Sequence, residues 1–145
     1  MEGENYIPRQ IPILPDSLIY KNPSPSFRDV AFEVFRSFFR DVIPESDLYT
    51  LIARAFPFRV PVFPIDPRTY IIELTHGDGG SYTDFGARFT AQLVDYFYQR
   101  SGQPVHILFA GTELETLSLA KAFAEFGDIH ATFLYPKDAF QTMVR

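Results

Sequence analysis

Between His76 and Phe85 the chain reads His76-Gly77-Asp78-Gly79-Gly80-Ser81-Tyr82-Thr83-Asp84-Phe85, which puts an imidazole, two carboxylates and several hydroxyls on one short segment. Ser81 or Thr83 as nucleophile, His76 as base and Asp84 as orienting group would supply the parts of a hydrolase. Such groups converge from separate elements, however, and these share one loop. His76, Asp78 and Asp84 have the donor types of a divalent-cation site, but their spacing matches no EF-hand, zinc or facial-triad pattern, so no metal is expected. Gly77, Gly79 and Gly80 fit neither the dinucleotide nor the P-loop fingerprint. They read as a tight turn where the backbone takes positive φ or something approaches closely. A second candidate is Gly111-Thr112-Glu113-Leu114-Glu115. Glu113 and Glu115 are an acid–base pair by type. Two residues apart at a helix start, they point in different directions and serve better at the positive end of the helix dipole.

The elements that must hold these residues follow from apolar spacing and from proline. Pro8, Pro12, Pro15, Pro23 and Pro25 mark one extended stretch, and Pro57, Pro61, Pro64 and Pro67 mark another. Between them Ser26 is placed to cap a helix whose face carries Phe27, Val30, Ala31, Val34, Phe38 and Val42. Pro44-Glu45-Ser46-Asp47 starts a second helix with Leu48, Leu51, Ile52, Ala55 and Phe56 on one side. Tyr70–Leu74 is a β-branched strand, and Thr83 opens a helix with Phe85, Phe89, Leu93, Tyr96 and Phe97 on one side and Gly102 as its stop. Strand 105–110, a helix over about 112–126 and strand 130–135 have the length of a βαβ unit. The expected fold is α/β, a helical N-terminal portion followed by a small parallel or mixed sheet flanked by helices. A single domain over 1–145 is expected, with a helical part to about 68 and an α/β part over about 69–138.

Composition removes several classes of function. A chain of 145 residues with 46% apolar and 17% aromatic content has material for one core and none of the bias of disordered or collagenous sequences. Net charge is −5 and the thirteen Lys and Arg are scattered, so no basic row exists to neutralise phosphates. Nucleic acid is therefore not an expected partner. No Cys is present, which excludes thiol nucleophiles, disulfides and thiolate metal sites. No apolar run reaches eighteen residues and the start lacks the order of a signal peptide, so the expectation is a cytoplasmic chain without a membrane partner.

Several segments, in order, resemble the N-terminal part of threonine synthase, a family of pyridoxal-phosphate (PLP) enzymes. Phe27–Val34 (FRDVAFEV) is similar to the family's SYAELAFEVL helix, and Ile43–Leu48 (IPESDL) to IPEEEL. Tyr70–Gly77 (YIIELTHG) resembles LYVLELFHGPT, Asp84-Phe85-Gly86 falls in the FKDFALQFL helix, Val105–Ala110 in the ITILVAT strand, and Tyr135-Pro136-Lys137 matches YPK. The resemblance implies a PLP enzyme that converts O-phosphohomoserine to threonine, with a lysine holding the cofactor as a Schiff base.

At the position of that lysine this chain has Thr83, whose hydroxyl cannot form an imine. Where the family has TSGDTG this chain has Gly111-Thr112-Glu113-Leu114-Glu115-Thr116, with carboxylates in place of small residues. Family members also run to several hundred residues. The expectations are thus a truncated, non-catalytic relative with no catalytic residue and no cofactor of its own. The turn His76, Gly77, Asp78, Gly79, Gly80, Asp84, Phe85 and the loop Gly111, Thr112, Glu113 are vestiges of a cofactor site. The alternative is one part of a split enzyme completed by a partner chain. The Phe stripes read chiefly as core, but the resemblance implies that the helical region packs on the rest of a larger enzyme, so the expectation is an aromatic surface and a sheet edge that another protein covers, a homodimer first of all.

Overall fold

The computed structural model describes residues 7–20, 24–111 and 113–134, with five helices and four strands. Lys21, Pro23, Thr112 and Tyr135-Pro136-Lys137 lie outside the described residues, as does the side chain of Glu113. Backbone proximity divides the chain into two compact units, 1–49 and 50–145.

The first unit holds α1 (Asp16–Ile19), α2 (Phe27–Phe39) and the opening turn of α3 (Glu45–Ala55). Ser26 begins α2 as expected, through a full capping box. The Asp29 amide donates to Ser26 Oγ at 3.2 Å, and the Ser26 amide donates to Asp29 Oδ2 at 2.9 Å. Both bonds satisfy backbone donors that a helix end otherwise leaves open. After α2 the Ile43 amide reaches Phe39 O at 2.9 Å, and Ile43 and Leu48 become buried. Phe32 and Tyr49 meet edge to face with centroids 5.8 Å apart.

The second unit begins within α3 and continues through β1 (Val62–Asp66), β2 (Thr69–Ile72), α4 (Thr83–Ser101), β3 (His106–Ala110), α5 (Glu113–Phe123) and β4 (His130–Leu134). The proline-marked stretch is not all connection, because Val62–Asp66 pairs antiparallel with Thr69–Ile72. Pro64 is accommodated because a two-stranded hairpin has only edge strands, where a missing N–H costs little. β3 and β4 form a separate parallel pair, in register from His106↔His130 to Ala110↔Leu134, with α5 as the crossover. The α/β class stands, and its strands lie in two small sheets.

Alternate residues of β3 and β4 point inward. Ile107 and Ala131 pack on a core of Ala87 and Ala91 from α4, Ala122 and Phe123 from α5, and Ile129. Small residues on both helices allow close approach. Gly102 ends α4 in the left-handed region at φ 61°, and its amide bonds Tyr98 O at 2.9 Å. No helix among the described residues is long and apolar enough to cross a membrane.

Candidate functional site

The glycine turn leads straight into α4, so the first side chains of that helix face back over the turn. Asp84 is 2% exposed and is the centre of the arrangement. Its Oδ2 accepts from the Gly79 amide at 2.8 Å and the Ser81 amide at 3.3 Å, and its Oδ1 accepts from Ser118 Oγ on α5 at 2.6 Å. The glycines make this possible by different means. A Cβ on Gly77 or Gly79 would overlap the Asp84 carboxylate, so these two are close-approach positions. Gly80 turns the chain at φ 68° with open space around it.

Thr83 belongs to the same cluster. Its Oγ1 lies 2.7 Å from Ser118 Oγ and 3.0 Å from Ser81 Oγ. Ser118 has one proton and gives it to Asp84, so the Thr83 hydroxyl is the donor toward Ser118 and shares its proton with Ser81. Ser81 Oγ also accepts from the Thr83 amide at 3.2 Å, supplying the cap that Tyr82 at the helix entry does not. Every hydroxyl thus has a structural task, and the two turn amides are occupied by an internal carboxylate. The N–H groups that would otherwise cradle an anion at this helix start are filled from within.

The remaining candidates point elsewhere. His76 pairs with Glu73 Oε2 at 3.2 Å and takes no part in the Ser81–Thr83–Asp84 cluster, so no nucleophile–base–orienter chain forms. Asp78 makes an ion pair with Arg88, and Phe85 packs on Phe56 and Phe58 at centroid distances of 5.8 and 5.3 Å. Gly111 sits against the ring of Phe109. Among the described residues no three His, Asp or Glu side chains converge as metal ligands.

Two residues of the site, Ser118 and Arg88, escape a reading of the sequence, and Lys121, one of three lysines, reads there only as remote from the turn. Ser118 comes from 34 positions downstream. Arg88, 11% exposed, donates from Nε to Ala55 O at 2.8 Å and from Nη1 to Glu125 Oε1 at 3.2 Å, besides pairing with Asp78. Its spacing of four from Asp84 puts it on the helix face that looks at the turn, which is the one available sequence signal. Lys121 of α5 donates from Nζ to Asp78 O at 2.8 Å, so a primary amine reaches the turn through space although none lies beside it in sequence.

Comparison with known proteins agrees with this layout. The model of the family "Threonine synthase N terminus" matches residues 2–56. Threonine synthase of Buchnera aphidicola subsp. Baizongia pistaciae is 30% identical over 133 residues, covering 91% of this chain and 31% of that protein. The crystal structure of threonine synthase from Escherichia coli superposes with a TM-score of 0.75 at 28% identity, over 90% of this chain and 30% of that one. The PLP-bound threonine synthase from Brucella melitensis shares the fold with a TM-score of 0.72 at 22% identity, over 88% and 28%. This chain therefore spans about a third of the length of these proteins.

One expectation is corrected by these findings. Thr83, the carboxylate-bearing loop in place of TSGDTG and the short length together predict no cofactor, yet the Brucella melitensis protein of the same fold holds PLP. Thr83 excludes an imine at its own side chain and nothing more, since a cofactor is also held by non-covalent contacts and other amines exist. Thr83 does not fit the group covalently, and Lys121, the one lysine among the described residues, reaches the turn at the Asp78 carbonyl. In sequence and in fold, this chain is similar to the N-terminal portion of threonine synthase.

Proposed function

We propose that this chain acts as a non-catalytic threonine-synthase-like module whose work is to associate with protein. The observation that carries this reading is the engagement of Thr83. Its hydroxyl is committed to Ser118 and Ser81, and Ser118 in turn to a buried carboxylate. The side chain at the lysine position is a framework piece with no base aimed at it. Association is supported by the exposed apolar residues Phe38, Phe63, Tyr70, Leu108 and Leu134, and by a parallel sheet that has two strands among the described residues. A second copy of the chain is the first partner to test.

The test supplies purified chain with PLP and O-phosphohomoserine and follows phosphate release. Release at the level of a protein-free blank is expected. Sustained turnover would refute the reading. The second reading, one part of a PLP-dependent threonine synthase completed by a partner chain, is supported by the match to the N-terminal portion of proteins of that name. It predicts that turnover appears only when a chain carrying the remaining two-thirds is added. Sedimentation equilibrium at tens of micromolar decides the homodimer, and a strictly monomeric mass would count against it.

A further inference from the structure

The outward face of the β3–β4 pair carries two of the three histidines of this chain. Because β3 and β4 run parallel and in register, His106 and His130 are direct Cα partners at the first rung of the ladder. Both are exposed, and neither belongs to the cluster around Asp84. Their rings stand with centroids 6.4 Å apart at an interplanar angle of 68°. His106 Nε2 lies 2.8 Å from Thr132 Oγ1, one residue along the same face.

We propose that His106 and His130 together form a surface site for a divalent transition-metal ion of the imidazole-binding kind, copper or nickel before zinc. Two imidazoles carried on paired strands in register are ligands whose backbones need no ordering on binding. With its proton on Nε2, His106 donates to the Thr132 hydroxyl and presents the Nδ1 lone pair. Metal-bound histidines characteristically use the second nitrogen in this way, which fixes tautomer and ring orientation. Metal–nitrogen bonds of about 2.0–2.1 Å put the centroids of two rings on one ion about 5–6 Å apart. The observed 6.4 Å is slightly longer, so the site requires a small turn of the rings on binding. Water completes the coordination shell, and affinity should follow the Irving–Williams order.

The third histidine is the internal control, because His76 is held by Glu73 on another loop. Copper(II) titrated into the full chain at neutral pH, followed by imidazole proton NMR and calorimetry, should broaden the His106 and His130 ring signals first and saturate at one ion per chain. His106→Gln and His130→Gln should each abolish that event. Thr132→Val keeps both ligands and should weaken binding by roughly 10–100-fold through loss of the orienting contact. These positions are exposed, so circular dichroism should show each variant folded. Three outcomes overturn the site: no saturable uptake, equal broadening of His76, or unchanged binding in either Gln variant.

Discussion

Replacing Ser118 by Ala is the sharpest perturbation of the turn, because Ser118 donates from α5 to the buried Asp84 carboxylate. The lost bond is 2.6 Å long and ends on a carboxylate that is 2% exposed. Hydrogen bonds to charged groups contribute about 1.5–3 kcal/mol, whereas a neutral bond is closer to 1 kcal/mol. Asp84 keeps its two amide donors, and Thr83 keeps its 3.0 Å contact with Ser81, so a value near 2 kcal/mol is expected. For a chain of this length, that corresponds to a fall of about 6 °C in Tm. Thr83→Val removes only a neutral donor and should cost about 1 kcal/mol. Since both hydroxyls belong to one network, the double variant should depart from additivity by at least about 0.5 kcal/mol. Urea and thermal unfolding by circular dichroism measure all three, with exposed Ser37→Ala as the reference. If Ser118→Ala were no more damaging than Ser37→Ala, the cluster would not be the clamp that joins α5 to the glycine turn.

The two kinds of glycine should separate on substitution. Gly79→Ala forces a methyl against Asp84 and 3.1 Å from Ser118 Oγ, and should cost about 2–3 kcal/mol as overpacking. Gly80→Ala meets no atom and should cost about 1 kcal/mol from its positive φ alone, as urea midpoints would show. Arg88→Lys keeps the charge but loses the planar fork. Its ion-pair partners are largely exposed and worth little, so most of an expected loss of about 2 kcal/mol comes from the Ala55 carbonyl, and Asp78→Asn should cost less than half as much by the same unfolding assay. Asp66 has its carboxyl held below the ordinary value of 3.8, first by the Arg68 amide and then by Thr69. A lowered folded value means that its contribution to the β1–β2 turn is present above the ordinary value and lost as pH falls through the lower folded one. Carboxyl carbon NMR should titrate Asp66 below 3.8, and Asp66→Asn should abolish the corresponding loosening of the hairpin.

Local rules made much of the fold legible. Ser26 with Asp29, Gly102 after an aromatic helix, and the two strands around a crossover helix are signals that act within a few residues, and each element formed where its signal lay. The strand Val62–Asp66 was hidden because proline is a poor ladder residue, and only its pairing with Thr69–Ile72 makes Pro64 tolerable at an edge. The turn was legible from its glycines, but its chemistry was not. Whether Asp84 faces solvent or a buried network depends on Ser118, and Arg88 and Lys121 reach Asp78 across 10 and 43 positions. No spacing rule encodes contacts of that range. His76 stands apart for the converse reason, since it is adjacent to the turn in sequence while its pairing with Glu73 takes it away from Ser81, Thr83 and Asp84.

The β3–β4 pair carries the argument for a partner furthest. Parallel ladders are ordinarily covered on both faces, because crossovers lay helices over them. Here one face rests on the α4–α5 core through Ile107 and Ala131, while Leu108 and Leu134 on the other are 67% and 51% exposed. A charge placed at Leu108 therefore disturbs nothing in the folded chain, and Leu108→Glu should change stability by no more than about 0.5 kcal/mol. If a second copy covers the Leu108 and Leu134 end of this face, away from the His106–His130 rung, the same substitution buries an unpaired carboxylate in the interface, at a cost of several kcal/mol, and sedimentation should shift to the monomer. An assembly that forms equally well with Glu at this position would place the interface elsewhere and leave the exposed face of the sheet without a role in association.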